Sequence, residues 1–302
     1  MKNLNEDLLR YRDRNTQFSS HTVIMNDKHS DSSDAVFVSE KFPNVLNWVR
    51  INNRISGDFV SNHFLIWIDI LGYKNHADCP FGEIHNLESV KKVDSYLHKI
   101  TDAFNFAIDI CKRVAGEDPK IRIFSDNILL YCKLYFDHTD QENIMKLLYV
   151  ASSIQWVMTG ASKILVRGAA TIGLFYSNDR FVYGPALIEA YSLETNESVY
   201  PRILISENLL EYLETNRNKD MTFDELYQGL LLKDEDGRYC IDGLSPMYWS
   251  HTCLFDYGAN IEMLKDSYVD KSEKLKGMMN YTIRKFNEFC ERENIVLKLD
   301  QL

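Results

Sequence analysis

Two aspartates stand where this chain could do metal chemistry. Asp69 closes the apolar run His63 to Ile70 (HFLIWIDI). Asp126 sits in Ser125-Asp126-Asn127, between two short runs that read as strands, Lys120 to Phe124 and Ile128 to Leu134. An acid at a strand end and an acid at a hairpin tip can converge on one sheet edge. Two carboxylates brought together repel unless cations lie between them. Hard oxygen ligands suit Mg or Mn. Two such ions, about 4 Å apart, can clamp an attacking oxygen and a leaving phosphate in line. The plainer reading of the same acids is a solvated turn residue or a helix cap, and position alone favours it.

Other chemistries lack their residues. There is no G-x-x-x-x-G-K-[ST] phosphate loop and no G-x-S-x-G elbow. His76 and His85 flank Cys79, but no second cysteine and no regular spacing completes a zinc site. Phe104, Phe106, Trp156 and Trp249 read as core aromatics rather than a base-stacking platform.

The elements that must position the two acids follow from periodicity. His63 to Ile70 reads as a buried strand, broken by Leu71-Gly72-Tyr73. Leu87 to Ala115 has helical spacing, with Val90, Val93, Leu97, Ile100, Phe104, Ile108 and Cys111 at steps of three and four, and Gly116 as its stop. A hairpin follows with Asp126 at its tip. Gln141 to Thr159 is a second amphipathic helix and Ile164 to Phe175 a strand. A short strand at Arg180 to Tyr183, a helix at Pro185 to Glu194, a strand at Ile203 to Ile205 and a helix at Glu207 to Thr215 come next. The order strand, helix, strand, strand, helix, strand predicts an α+β fold with a ferredoxin-like βαββαβ core. Residues 1–60 read as an N-terminal extension, 61–215 as the catalytic core, and 216–302 as a C-terminal extension ending in one long helix from about Asn260 to Glu293. Within the N-terminal part, Ser30 to Asp34 reads as a loop and Phe42 to Arg50 as an apolar docking stretch.

The bulk numbers narrow the partners. The chain has 302 residues and a net charge of -10, with 45% hydrophobic and 12% aromatic residues. It is long enough for a real core. Its acidity excludes a grip on a long nucleic-acid backbone, which needs clustered Lys and Arg. A small polyanion remains open, because divalent cations offset carboxylates and phosphates together. No run approaches the roughly 20 apolar residues of a membrane helix. Six cysteines without a C-x-x-C pair are expected as free thiols in a cytoplasmic protein.

Several stretches carry a resemblance. Asp69-Ile70-Leu71-Gly72-Tyr73 is similar to the D-I-x-G-aromatic signature of class III nucleotidyl cyclases. Phe124-Ser125-Asp126-Asn127 resembles that family's second metal-binding aspartate, where Gly normally precedes the acid. Val166-Arg167-Gly168 and Gly173 resemble its R-x-G-x-x-x-G strand, with the first Gly one place early. Tyr183-Gly184 resembles its later strand-Gly-helix step. The matches run in order over about 64–206. Arg167 to Gly173, Tyr183 to Tyr191, Leu193-Glu194 and Tyr200 to Ile203 further resemble a divergent bacterial branch, the pyrimidine cyclases of the Pycsar antiphage systems.

The resemblance implies roles. Asp69 and Asp126 would hold two Mg or Mn ions, with the Ile70 carbonyl assisting. One ion would lower the pKa of a ribose 3′-hydroxyl and the other would bind the triphosphate. The amides of Leu71, Gly72 and Tyr73 would face phosphate, at a turn where Gly permits close approach. Arg122, four residues before Asp126, falls where the family reads the base. Its fork of donors suits pyrimidine carbonyls; an exposed strand arginine is the equal alternative. Lys120 shares its strand face by alternation and is the weaker candidate. The family's transition-state Asn and Arg map to Ile188 and Ser192, so those roles look empty. Glu189 and Glu194 have the wrong charge for phosphate, and no spacing supports Arg180 or Arg202 as substitutes. The implied activity is cyclisation of CTP or UTP, with purine cyclisation or a non-catalytic nucleotide-binding dimerisation module as alternatives. The implied partners are a second copy of the chain, sharing active sites, and an effector that responds to the cyclic nucleotide.

Overall fold

The computed structural model describes residues 61–72, 87–115, 120–217, 220–248 and 254–302. The loop and docking stretches expected before residue 61, Tyr73, the His76–Cys79–His85 group, Gly116 and Trp249 lie outside the described residues.

The central strand is β1 (Ser61–Ile70). Its side chains alternate between two cores. Phe64, Ile66, Ile68 and Ile70 enter the larger one, while Leu65 and Trp67 enter a smaller one on the opposite face. Burial on both faces explains why the run reads as almost continuously apolar. The chain then forms α1 (Leu87–Ile110), which ends in a π turn at Cys111–Ala115. Next come β2 (Lys120–Phe124), β3 (Asn127–Lys133), α2 (His138–Gly160) and β4 (Val166–Ser177). Asp137 caps α2, accepting from the Thr139 amide at 2.8 Å. The strand order is β2-β3-β1-β4 with every neighbour antiparallel. That is the βαββαβ ferredoxin-like arrangement expected from the element order, and the fold is α+β. Helices α1 and α2 cover the larger core face.

After β4 come β5 (Val182–Tyr183), α3 (Pro185–Glu197), β6 (Ile203–Ile205) and α4 (Glu207–Asn216). Strand β5 folds back on the end of β4, and β6 runs parallel to β4. Helix α3 covers the smaller face, packing Ala186 and Ala190 against Leu65, Trp67 and Ala169. Two glycines of β4 permit close approaches, Gly168 to the backbone of β1 and Gly173 to α3. A Cβ on Gly168 would stand 2.1 Å from the Trp67 carbonyl oxygen, and one on Gly173 would stand 3.3 Å from the Ala186 methyl.

The C-terminal part differs from expectation in two ways. Beyond α5 (Phe223–Tyr227), strands β7 (Leu231–Lys233) and β8 (Tyr239–Ile241) continue the same sheet in the order β6-β8-β7, so residues 216–302 are not a simple appendage. The single long helix is in fact two, α6 (Leu254–Asp266) and α7 (Glu273–Arg292). Ser267 breaks the first, with its hydroxyl donating to the Leu264 carbonyl at 2.6 Å, and Ser272 stands at the N-cap of the second. The physical reason is burial. Tyr257 and Ile261 of α6 meet Ile283 and Phe286 of α7 in one cluster, which a straight helix cannot form with itself.

A buried ionic group ties this part to the sheet. Arg202, just before β6, pairs with Asp234 and Asp236. Lys285 reaches Asp234 at 2.9 Å and the Tyr281 hydroxyl donates to it at 2.8 Å.

Candidate active site

The strand pairing builds the site. Asp69 lies opposite Asn127 of β3 on one side and Arg167 of β4 on the other. Two residues after Trp67, Asp69 points to the α3 face of the sheet. Asp126 occupies the two-residue turn between β2 and β3, following Ser125 at φ 56°. A positive φ is uncomfortable for a residue with a Cβ; it accounts for the glycine expected before this acid. The Asp126 carbonyl accepts from the Ile70 amide at 2.9 Å, which ties the turn to the end of β1. Its Oδ1 accepts from Asn127 Nδ2 at 3.0 Å. The two acids therefore meet at the same end of the central strand.

The electrostatics reflect that meeting. Burial, then the charges of Glu194 and Asp126, push the Asp69 carboxyl up to about 7, against the pull of Arg167. Asp69 is thus short of positive charge. Arg167 Nε stands 3.7 Å from Asp69 Oδ2 and contacts Glu194 Oε1 of α3 more closely. Neither Arg167 Nε nor Glu194 Oε1 has a well-aligned hydrogen bond among the described residues, so their contact is ionic. Arg167 Nη1 also reaches the Ser198 carbonyl at 3.5 Å.

The donor set fits a divalent cation that shares its ligands with phosphate. Among the described residues, no three carboxylate, imidazole or thiolate groups converge enough to hold an ion alone. Mg is commonly bound through one or two carboxylates plus substrate phosphates, which is what Asp69 and Asp126 offer.

The other expected residues divide. The Leu71 amide donates to the Leu165 carbonyl at 2.9 Å, so it is not offered to a phosphate, and that expectation is corrected. Gly72 turns with φ 82°, and among the described residues no atom lies within 4 Å of where its Cβ would be. Arg122 faces the α3 side with Lys120 and Phe124, by alternation along β2. It is tied to the β4–β5 loop, donating to the Asn178 carbonyl at 2.7 Å and standing 3.5 Å from Asp179. Tyr131 hydrogen-bonds to Arg122 and to Ser177, which fixes the same loop. Arg202 belongs to the buried ionic group and does not stand in for a transition-state arginine. Ile188 and Ser192 lie on the exposed face of α3.

Arg167 and Glu194 are the site residues that sequence reasoning passed over. Register carried one signal, since the strand antiparallel to β1 places Arg167 opposite Asp69. Helical spacing carried the other, because Glu194 continues the buried stripe Ala186, Ala190 at the next four-residue step.

An aromatic wall borders the site. The Trp67 ring lies 5.5 Å from Phe124 and 5.9 Å from Tyr191. Phe124, Phe181, Tyr183, Ile188 and Tyr191 are all exposed.

No protein-family profile matches the sequence, and no curated protein matches it. Solved structures give distant similarity. The adenylyl cyclase CyaB from P. aeruginosa has 12% identity and a TM-score of 0.40, covering 60% of this chain and 94% of that one. The catalytic core of a rhodopsin-guanylyl cyclase with converted specificity, in complex with ATPαS, has 11% identity, the same coverages and a TM-score of 0.37. A class III adenylyl cyclase-like ATP-binding protein from Pseudomonas aeruginosa has 12% identity and a TM-score of 0.39, covering 77% of this chain and 44% of that one. At these values the similarity assigns neither residues nor substrate. Among the described residues no helix is long and apolar enough to cross a membrane.

Proposed function

We propose that the chain is a nucleotidyl cyclase of the class III type, acting on CTP or UTP. The observation that carries this reading is the meeting of Asp69 and Asp126 at one end of the central strand of a βαββαβ sheet, with the Arg167 guanidinium beside Asp69. A shared need for positive charge is what a site for a metal-bound polyphosphate requires.

In this reading Asp69 and Asp126 hold two divalent ions, Mg or Mn, with the Ile70 carbonyl assisting. Bound ions supply charge to the triphosphate and lower the pKa of the attacking hydroxyl. The protein's own part is positioning. Arg167 presents a cation to the phosphate chain, and the Gly72 turn allows close backbone approach. The ribose 3′-oxygen forms a bond to the α-phosphorus as the bond to the β-phosphate bridging oxygen breaks. Pyrophosphate leaves and the hydroxyl proton passes to solvent.

Arg122 is the proposed base reader, two positions before Phe124 on the same strand face, with Lys120 as a lesser contributor; its side chain is engaged by the Asn178 carbonyl and by Tyr131, which a base would have to displace or share. A pyrimidine offers carbonyl acceptors to its donors. A second copy of the chain is the proposed partner, and the exposed apolar side chains Phe124, Phe181, Tyr183, Ile188 and Tyr191 are the candidates for its contacts. The cyclic nucleotide would act as a second messenger on a separate effector, in antiphage defence. A non-catalytic nucleotide-binding module is the second reading, favoured by the exposed Ile188 and Ser192 in place of Asn and Arg.

Nucleotide binding tests the base assignment. With Mn present, CTP or UTP should bind more tightly than ATP and GTP. Arg122→Ala should reduce that preference by about tenfold, the worth of one good hydrogen-bonded contact. An unchanged preference in Arg122→Ala would remove Arg122 from the base site.

A further inference from the structure

Glu194 is a carboxylate with almost no access to water, at 2% exposure. It sits on the α3 stripe that packs against the sheet. A charge in such a place is strongly disfavoured unless a counter-charge accompanies it. Arg167 is that counter-charge, and Thr195 Oγ1 donates to the other carboxylate oxygen at 3.0 Å.

The geometry around Arg167 gives this pair a second consequence. Arg167 lies directly across from Asp69 in the β1–β4 register, and its Nε is 3.7 Å from Asp69 Oδ2. Among the described residues, Asp69 is the other acid that contacts this guanidinium. Without Glu194, the arginine has every electrostatic reason to close on Asp69. A closed Arg167–Asp69 pair would neutralise the carboxylate on which a cation site depends. It would also turn the guanidinium away from any phosphate.

We propose that Glu194 is a positioning residue that holds Arg167 beside Asp69 and not on it. Asp69 is thereby left to a divalent ion, and the guanidinium to the phosphate chain of the ligand. This rests on the proposed function in that it takes a nucleoside triphosphate as the ligand. A role for Glu194 as a third metal ligand fits less well. One of its oxygens is engaged by Arg167 and the other by Thr195.

A thermodynamic cycle on the full chain tests the proposal. The probe is inorganic tripolyphosphate, titrated calorimetrically in Mn against wild type, Glu194→Gln, Arg167→Ala and the double variant. Glu194→Gln should weaken binding by about tenfold, within the range of coupling for residues in one ionic network. In the Arg167→Ala background the same substitution should change nothing further, since no guanidinium remains to be placed. In turnover, Glu194→Gln should raise KM more than it lowers kcat. Removing a negative charge would by itself tighten polyanion binding, so the expected sign is opposite to a simple charge effect. Folded Glu194→Gln binding within twofold of wild type, or more tightly, overturns the proposal. So does a loss that persists undiminished without Arg167. If Glu194→Gln does not fold, Glu194→Asp decides, because it keeps the charge but withdraws the contact. A weakened affinity supports the proposal and an unchanged one overturns it. Wild type that binds neither tripolyphosphate nor any nucleoside triphosphate would overturn the proposed function, and this inference with it. Wild type that binds, with Glu194→Gln unchanged, overturns this inference alone.

Discussion

Asp69→Asn is expected to lower cyclic-nucleotide formation by about 10³-fold, the scale for losing a group that stabilises transition-state charge. The same substitution is expected to make the metal-free protein more stable above pH 7. The second effect follows from the first role. Asp69 has its carboxyl raised to about 7 by burial and by the charges of Glu194 and Asp126. A group whose folded pKa lies above its unfolded value stabilises the fold when protonated. Its contribution is complete below about pH 4 and is lost as pH rises through 7. At pH 8 the wild type carries a crowded carboxylate that asparagine removes, a gain on the order of 1–3 kcal/mol. Urea denaturation at pH 5.5 and pH 8 reads the result. The advantage of Asp69→Asn should grow between those values, and Mn should stabilise wild type but not the variant. A variant that is less stable than wild type at pH 8 would mean that Asp69 has a structural purpose instead.

Arg202→Ala is expected to destabilise the fold by about 3–5 kcal/mol, because it strips one partner from a buried ion pair. Arg202 is 4% exposed and Asp234 is 2% exposed at the side chain. Burial opposes the charged form of Asp234, yet hydrogen bonds from Lys285 and Tyr281 hold its pKa at about 2. Being depressed, Asp234 contributes stability that is complete above about pH 4 and is lost as pH falls through 2. The variant leaves that charge with fewer partners, at the point where β6 meets β7, β8 and α7. Denaturation midpoints check the size of the effect. A loss below about 1 kcal/mol would show that the network is not what joins these elements. Any product made by folded Arg202→Ala should be the same nucleotide as wild type makes, because Arg202 lies in the structural group and not beside Asp69.

The core was legible because its signals were local and strong. The run ending in Asp69 reads as a buried strand by its length and the Gly72 break after it, and the hairpin around Asp126 had turn chemistry at its tip. With six elements in order, the antiparallel β2-β3-β1-β4 sheet followed. The break between α6 and α7 was not legible. The apolar face is interrupted at Asp270 to Lys274, but an interruption alone does not end a helix, and the packing of Ile261 against the later helix is what shows that the chain turns back. Strands β7 and β8 have three residues each, too few for alternation to register.

The site was legible in its acids and not in its cation. Asp69 and Asp126 stood out by type and place. Arg167 lay within a recognised motif, but its place across from Asp69 depends on strand register. Glu194 was set aside because its charge is wrong for phosphate. Its position on the alanine stripe facing the sheet shows that its target is a cation. Leu71 erred in the other direction, since nothing in the sequence says that its amide is bonded to Leu165.

The central claim is tested most directly by product identity. The purified chain is incubated with Mn and each of the four ribonucleoside triphosphates separately, and the products are identified by mass. The account predicts cyclic CMP or cyclic UMP from the matching substrate, abolished in Asp126→Ala. Cyclic AMP or cyclic GMP as the main product would contradict the pyrimidine assignment. Turnover that survives intact in Asp126→Ala would contradict the site itself.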